Sequence, residues 1–301
     1  MNRLLQAVQR NLAPAVGVLI FASMTTSGAQ AADCDRACLK SMIMKYVDAM
    51  VAHDPSRLPV AKDVRFTEDS QELKLGEGLW KTVTKKGDFR QDYIDLKKQI
   101  AASHVMLFEE NAQVLYSVVL RVSDQAGVQK ITGIETLVDR ITPTSRFKPD
   151  SLDNPLPGMS APVPAGKRML RAEMIKAALR YPEGLQIGNF TDAKTPFAKE
   201  AYRVENGTFI AGVGGPRPNA PGMFTQKIML HPDVKASVAA VDEEEGIVLL
   251  WMNFGDTNSY GPGNALVTFE AFKVWGGEIH AINAFFRILP KETQRGWSSA
   301  E

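Results

Sequence analysis

The sequence predicts two tandem α+β domains, in each of which a helix precedes a meandering sheet. A helical repeat of apolar residues is followed by β-type runs twice along the chain, and a proline-rich segment separates the two occurrences. Of the 301 residues, 45% are hydrophobic and 23% are charged, which is typical of a globular protein. A net charge of +1 provides no strong attraction for nucleic acid or for an anionic membrane, so we expect neither as a partner.

The first 31 residues are predicted to be a signal peptide. Arg3 and Arg10 accompany an apolar run over about residues 12–24, and Ala-Gln-Ala at 29–31 has the pattern of a cleavage site. The run is shorter than the roughly 18 residues that a membrane helix needs, and no later segment reaches that length. A short buried helix is the alternative. We therefore expect a periplasmic or extracellular protein, cleaved near Ala31 and not inserted in the membrane.

Cys34 and Cys38 follow the cleavage site directly. In an oxidising compartment they could form a disulfide that closes a very small loop. A spacing of four residues on one helix face is awkward for a bridge unless the helix start is frayed, so two free thiols remain the alternative. The four histidines are scattered and none lies at a zinc-ligand spacing from these cysteines, so we expect no metal site.

The first domain is expected to span residues 32–141. Apolar residues recur at helical spacing over residues 34–53, and Pro55 ends that helix because proline disfavours helical conformation in the residue before it. A short strand at 64–67 follows. Runs rich in β-branched and apolar residues then predict the strands of a meander at 105–108, 114–122 and 131–141.

A linker and a second domain follow. Residues 142–168 contain six prolines and predict an extended surface segment. The second domain, residues 169–301, repeats the same order of elements, and the acidic run at 242–246 is expected to be a solvated turn. Its predicted elements are a helix at 169–185, a short strand at 201–205, and strands at 247–254, 265–274 and 279–289.

Several motifs resemble known families. The opening Cys34-Asp-Arg-Ala-Cys38, the run Val64-Arg-Phe-Thr-Glu-Asp-Ser-Gln71 and Gly76-Glu-Gly-Leu-Trp80 are similar to a family of exported proteins of unassigned function. The order of helix, strand with an acidic residue and curled sheet resembles the nuclear transport factor 2-like superfamily, which includes the SnoaL-like cyclases and ketosteroid isomerase. This resemblance implies two tandem cone-like domains, each a curled antiparallel sheet wrapped around N-terminal helices, with a pocket for a small apolar molecule.

The resemblance to ketosteroid isomerase implies candidate catalytic residues. Tyr46 lies in a context similar to that of the enzyme's tyrosine, and Tyr181 is its counterpart in the second domain. Glu68 and Glu205 fall where the enzyme's catalytic aspartate closes the first strand. Glu270 falls at the position of its second oxyanion acid. The sequence departs from the enzyme at that position in the first domain, which is Val118, and at Pro182, which is expected to bend the second helix.

These residue types suit acid–base chemistry without a cofactor. A carboxylate in an apolar pocket has a raised pKa and can take and return a proton. A tyrosine hydroxyl and a protonated carboxyl can donate to an oxygen on which charge develops. Glu205 would be the base and Tyr181 and Glu270 the donors, with Glu68 and Tyr46 in the corresponding roles. Solvated carboxylates and core tyrosines are the structural alternatives.

The pocket walls are expected to be mainly apolar. Candidate ligand contacts, which could equally be core residues, are Phe66, Trp80, Ile134, Thr136, Trp251 and Phe272. Glu135 alternates with Ile134 and Thr136 and is expected on the opposite sheet face, where the two domains would pack. Such packing would make the chain a pseudo-dimer, whereas a homodimer would cover the same face with a second chain.

Two classes of function stay open. The first is an exported binder of a small apolar molecule, with no catalysis. The alternative is a cofactor-free isomerase, lyase or cyclase that uses a pocket glutamate as general base on a hydrophobic carbonyl compound. Fold does not decide between them. Export favours the binder, and the deciding observation is whether Glu205, Tyr181 and Glu270 converge in one cavity.

Overall fold

The computed structural model describes residues 33–152, 156–213, 217 and 219–296. The predicted signal peptide and its cleavage site lie outside the described residues. Two six-stranded sheets account for most of the fold, and a helix precedes each of them. The described part of the chain contains no helix that is long and apolar enough to cross a membrane.

The first unit begins with helix α1 (Arg36–Val51), whose N-cap Asp35 accepts a hydrogen bond from the Cys38 N–H at 2.8 Å. A disulfide joins Cys34 to Cys38, with 5.3 Å between their Cα atoms. Cys34 precedes the helix, which avoids the awkward geometry of two cysteines on one helix face. The strands are β1 (Val60–Glu68), β2 (Gln71–Leu73), β3 (Lys85–Asp95), β4 (Ile100–Glu109), β5 (Ala112–Gln125) and β6 (Val128–Arg140).

The second unit begins with helix α2 (Arg171–Ile187), which continues past Pro182 and ends at Gly188 in the left-handed conformation that suits glycine, with φ of 77°. Pro182 therefore does not end the helix. The strands are β7 (Phe197–Glu205), β8 (Thr208–Gly212), β9 (Lys235–Asp242), β10 (Ile247–Asn253), β11 (Asn264–Trp275) and β12 (Glu278–Pro290).

Both sheets have the same topology. The strand orders are β2-β1-β6-β5-β4-β3 and β8-β7-β12-β11-β10-β9. The sheets are mixed where wholly antiparallel ones were expected, because β1 pairs in parallel with β6, and β7 with β12. In each sheet the last strand of the meander, β6 or β12, lies next to the first strand, β1 or β7, and runs in the same direction. The fold is thus two tandem cone-like α+β domains.

Strands β2, β3, β8 and β9 were not among the predicted strands, and all four lie at the ends of the two sheets. In β3 the buried Phe89, Gln91 and Tyr93 alternate with charged residues, so the segment has few β-branched residues although it keeps a strand's alternation. The acidic run at 242–246 is a turn between β9 and β10, but the prediction that it is solvated is wrong for Asp242, which is fully buried.

Each helix packs on the inner face of its own sheet. The core of the first unit contains Leu39, Ile43 and Tyr46 from α1. The core of the second contains Met174, Ala178 and Tyr181 from α2. Burial of these apolar side chains supplies the main stabilisation of each interior. The inner face of the second sheet also carries the candidate site.

A third core lies between the outer faces of the two sheets. It combines residues of both units, including Phe89, Leu137, Leu249, Trp251, Phe269 and Phe285. Glu135 faces this side, as expected from its alternation with Ile134, and accepts hydrogen bonds from Arg295 Nε at 2.9 Å and from the Gly296 N–H at 3.0 Å. The two sheets therefore share one apolar interface.

Polar contacts around this interface are reciprocal. Arg36, at the start of α1, donates to both carboxylate oxygens of Asp242 at 2.8 Å. Arg171, at the start of α2, donates to Asp95 at 2.9 Å through Nη1 and also through Nη2. Asp95 and Asp242 end the equivalent strands β3 and β9. Each unit therefore contributes one helix-start arginine and one strand-end aspartate to the other.

Candidate functional site

A cavity of about 730 Å³ opens into the second unit. Its volume lies in the range of small-molecule sites, roughly 300–1,000 Å³. Residues of α2, β7, β8, β11 and β12 form much of the wall, and residues of the connecting segments complete it. Tyr181, Arg203 and Glu205 are in the wall, so two of the three residues predicted to converge there do line one cavity.

The sheet register places the two predicted acids on one face. Glu205 in β7 pairs with Ala284 in β12, which pairs with Glu270 in β11. Residues in one row across a sheet point to the same side, so both glutamates face the inside of the cone. Arg203 lies two residues before Glu205 and therefore points the same way. The row through Arg203 continues with apolar residues of the inner core, Ile282 and Phe272.

Arg203 is the centre of the site and is only 7% exposed. Its Nη1 donates to the Tyr181 hydroxyl at 2.8 Å, and its Nε lies 3.0 Å from Glu205 Oε1. Burial by itself lowers the pKa of Arg203, but the nearby Glu205, Tyr181 and Glu270 raise it by more, so the guanidinium stays charged. A fixed positive charge is thus held in the cavity wall.

Glu270 is 1% exposed and lies behind this wall, since it is not among the residues that line the cavity. Burial raises the pKa of Glu270 to about 8, although Arg203 lowers it. The carboxyl is therefore mainly protonated at neutral pH, and its Oε1 has no hydrogen-bond partner among the described residues. Burial likewise raises the pKa of Tyr181, which stays a neutral phenol.

The structure thus brings Glu205, Tyr181 and Glu270 together around a residue that the sequence reasoning missed. Arg203 carried a signal that could have identified it. It is a charged residue inside the predicted strand at 201–205 and has the same alternation phase as Glu205. Phe272 lies on the inner face, 5.1 Å from Tyr181 between ring centroids. Trp251 lies on the outer face, in the core between the sheets and away from the cavity.

The candidate residues of the first unit are bound by neighbouring groups of that unit. The Tyr46 hydroxyl lies 2.9 Å from the Tyr116 hydroxyl and accepts from Trp80 Nε1 at 3.0 Å. Each of these three side chains is at most 1% exposed. Glu68 Oε2 accepts from the Leu79 N–H at 2.9 Å, and burial raises the pKa of Glu68. Tyr46 and Trp80 therefore bond to each other, and Glu68 bonds to the backbone.

Equivalent positions in the two sheets explain this difference. In the first sheet, Glu68 pairs with Thr136, and Thr136 pairs with Val118. This row of residues corresponds to the row of Glu205, Ala284 and Glu270 in the second sheet. Phe66 pairs with Ile134, as Arg203 does with Ile282. Both Phe66 and Ile134 lie in the first core, and Thr136 Oγ1 donates to the Thr67 carbonyl at 3.0 Å. The first unit therefore has apolar side chains where the second has an arginine and an acid.

The remaining charges of the cavity wall are mainly positive. Its cationic side chains are Arg146, Arg203, Arg217, Lys227 and Arg287, and its acids are Asp139 and Glu205. Across the described ranges, no group of three or more His, Cys, Asp and Glu residues is placed to hold a metal ion. The wall can therefore recognise a ligand through an arginine, a phenol and a carboxylate set among apolar side chains.

Fold and site together define a protein of two tandem α+β domains, the second of which holds a cavity lined by polar and apolar side chains. A family model described as a domain of unknown function (DUF8021) matches residues 167–286, which include Tyr181, Arg203, Glu205 and Glu270. A solved structure, an NTF2-like protein of unknown function from Shewanella baltica OS155, is similar with 16% identity and a TM-score of 0.28, over 40% of this chain and 93% of that chain. No curated protein matches the chain significantly.

Proposed function

We propose that the second domain binds a small molecule that has an apolar body and an oxygen acceptor, and that this binding is the activity of the protein. The observation that carries the proposal is Arg203, a buried cation in the wall of a cavity of about 730 Å³. A buried charge is costly unless its partners compensate for the loss of water. Its position therefore needs a reason beyond packing.

The donors of Arg203 are only partly used. A guanidinium has five N–H donors. One donates to the Tyr181 hydroxyl, whereas Nε, although close to Glu205, is not aligned for a hydrogen bond with any described residue. An unsatisfied buried donor costs about 1–3 kcal/mol. A ligand oxygen that enters the cavity would satisfy these donors, which supports a carbonyl, carboxylate or similar acceptor on the ligand.

Apolar side chains surround this polar group. Leu185, Phe254, Leu266 and Phe286 line the cavity and are mostly buried. Each gains from contact with an apolar ligand at about 25 cal/mol per Å² of surface removed from water. The proposal concerns the second domain alone, because the polar atoms of Tyr46, Tyr116 and Trp80 bond to one another inside the first.

The test uses the fluorescent ketone Prodan, an apolar naphthalene with one carbonyl acceptor. Saturable binding to the full chain is expected, with an emission maximum that reports a hydrogen bond to the carbonyl. The double variant Arg203→Met/Glu205→Gln removes both charges of the ion pair. For this variant we expect about tenfold weaker binding of Prodan and a blue-shifted emission.

Two further variants locate the bound probe. Ile210 lines the cavity, so Ile210→Trp should fill it and abolish binding. Val128 is 53% exposed in the first unit, so Val128→Trp should bind as the wild type does. Absence of saturable binding by the folded wild type, or unchanged binding by Ile210→Trp, would refute the proposal.

A second candidate function is acid–base catalysis on a carbonyl compound. Glu205 and Tyr181 line the same cavity, and the protonated Glu270 lies behind them. Glu205 is already held in an ion pair with Arg203, 3.0 Å from its Nε, so we place binding first. Turnover of an enolisable ketone that Glu205→Gln abolishes without loss of binding would establish catalysis.

We also propose that the mature protein is exported. The apolar run and the Ala-Gln-Ala pattern before residue 32 support export, as does the disulfide between Cys34 and Cys38, since disulfides persist in oxidising compartments. Mass spectrometry of the protein isolated from its native host should give an N-terminus at Ala32. A native N-terminus at Met1 would contradict export by this route.

A further inference from the structure

We propose that the ligand of the second-domain cavity is an anion, in which the apolar body carries one carboxylate or sulfonate group besides the oxygen acceptor that meets Arg203. Arg146, Arg217 and Lys227 hold that group at the mouth of the cavity. This inference rests on the proposed function and adds the chemical class of the ligand.

The charges of the wall are sorted by depth. Arg146, Arg217 and Lys227 are exposed and therefore lie on the solvent side of the cavity. The acids of the wall, Asp139 and Glu205, are more buried. A cleft whose mouth carries charges of one sign, beside low-dielectric walls, concentrates ligands of the opposite sign. The mouth therefore favours an anion.

The two acids are already engaged inside the wall. Glu205 lies against Arg203, with 3.0 Å between Oε1 and Nε. Asp139 accepts from Asn206 Nδ2 at 2.8 Å, and burial raises the pKa of Asp139 to about 6, although Arg287 lowers it. Arg287 itself is held by Asp69 and by the Val138 carbonyl. The inner charges thus compensate one another.

The three cations at the mouth have no such partners. None of them forms an ion pair with an acid in the described part of the chain. Arg146 is positioned over the Phe147 ring, 5.5 Å from its centroid, and Phe147 packs edge-on against Phe286 of the wall. A guanidinium is thereby placed where the apolar wall meets solvent. That geometry suits a molecule with its charged group at the mouth and its body inside.

The experiment compares two dyes that share one body. 1-Anilinonaphthalene-8-sulfonate is an anion, and N-phenyl-1-naphthylamine is its neutral counterpart. At low ionic strength we expect the full chain to bind the anion about tenfold more tightly than the neutral dye. The difference should shrink in about 1 M salt, where the Debye length falls to about 3 Å.

Matched double variants test whether the preference for the anionic dye comes from the cations at the mouth of the cavity. In Arg146→Gln/Lys227→Gln, the ratio of the two affinities should fall about fivefold to tenfold. Arg168→Gln/Lys176→Gln removes the same charge from a second cleft, of about 560 Å³, beside the start of α2, and should leave the ratio unchanged. Ile210→Trp should reduce the binding of both dyes.

The outcomes separate this inference from the function on which it rests. If both dyes bind in the cavity with equal affinity, or if the ratio is unchanged in Arg146→Gln/Lys227→Gln, the anion preference is refuted and the cavity remains a binding site. If neither dye binds although Prodan does, the anion preference alone is refuted. If Prodan does not bind either, or if Ile210→Trp has no effect on any of the three probes, the proposed function fails and the anion preference fails with it.

Discussion

Arg203 and Phe66 take equivalent places in the two sheets, and this difference, together with that between Glu270 and Val118, separates an ionic interior from an apolar one. Each pairs with an isoleucine of the neighbouring parallel strand, Arg203 with Ile282 and Phe66 with Ile134. Around Phe66 the interior closes on tyrosine and tryptophan side chains. Around Arg203 it stays open as a cavity lined by polar groups.

Glu270 gives a prediction at this scale. An unfolded glutamate has a pKa of about 4.3, whereas burial raises that of Glu270 to about 8 against the effect of Arg203. The folded state therefore binds the proton more tightly, so the stabilisation from Glu270 is full at low pH and is lost as the pH rises to about 8. Glu270→Gln removes this dependence and should gain roughly 3–4 kcal/mol of unfolding free energy relative to the wild type between pH 5 and pH 8.

Urea unfolding at several pH values measures this effect. Glu278→Gln is the control, because Glu278 is exposed at the start of β12. A difference between Glu270→Gln and the wild type that is the same at pH 5 and pH 8 would mean that Glu270 is ionised in the folded protein at both pH values.

Sequence reasoning found the acids of the site but not its cation. The resemblance to ketosteroid isomerase, whose site contains acids, indicates Glu205 and Glu270. It does not indicate Arg203, because no arginine was matched to that position. Alternation alone placed Arg203 on the same face as Glu205, but it does not say which face is inside. That depends on the pairing of β7 with β12, about 80 residues further along the chain.

At the scale of elements, the helix starts and strand ends hold the units together. Arg36 and Arg171 begin the two helices, and Asp242 and Asp95 end the equivalent edge strands. Each aspartate also accepts from a backbone N–H of the other unit's edge strand, Asp242 from Ile94 and Asp95 from Val241, both at 2.9 Å. These carboxylates are almost fully buried, so their partners matter.

Replacing one of these carboxylates by an amide should lower the free energy of unfolding. Asp95→Asn weakens the contact with Arg171 and leaves that guanidinium, 16% exposed in its side chain, with only the half-exposed Glu243, 3.5 Å away, as a charged partner. We expect a loss of about 2–3 kcal/mol in unfolding free energy, and a similar loss for Asp242→Asn. Chemical denaturation measures both.

The control for these variants is an ion pair on the solvent-exposed surface of the protein. Arg65 and Glu72 are 50% and 67% exposed, so Glu72→Gln should cost less than about 1 kcal/mol. Equal losses in Glu72→Gln and Asp95→Asn would show that the interface pairs contribute no more than a surface pair.

Helices and central strands were predictable, whereas edge strands were not. The spacing of Leu39, Ile43 and Tyr46 is local and marks α1 directly. Strand β3 carries charged residues on one face because that face is not part of the apolar core, so it lacks the β-branched run that marks β5. Similarly, nothing local indicates that Asp242 is buried, since its partner Arg36 lies 206 residues away.

At the scale of the whole molecule, the outer faces of the two sheets form one core. This arrangement supports the interpretation of a pseudo-dimer within one chain rather than a homodimer, since the faces that a second chain would cover are already packed. The two alternatives differ in the mass that sedimentation would measure.

The shared core predicts that the two units unfold together. Separation of the sheets would expose Leu137 and Phe89 of one unit and Leu249 and Phe269 of the other at once. In hydrogen exchange under increasing denaturant, we expect the central strands β5 and β11 to open at the same denaturant concentration, as one cooperative unit. Asp95→Asn should shift both strands equally.

Exchange of one central strand well before the other would contradict this prediction. It would mean that each unit is stable by its own inner core and that the core between the sheets adds little cooperativity.

By itself the sequence determined the repeated order of helix and sheet, the acids at strand positions and the alternation of faces, because these are local patterns of residue type and spacing. Only the tertiary structure decided that Arg203 joins those acids, that the second interior holds a cavity, and which sheet faces meet. Those features depend on strand pairs and contacts between residues roughly 80 to 200 positions apart, and no local pattern specifies them.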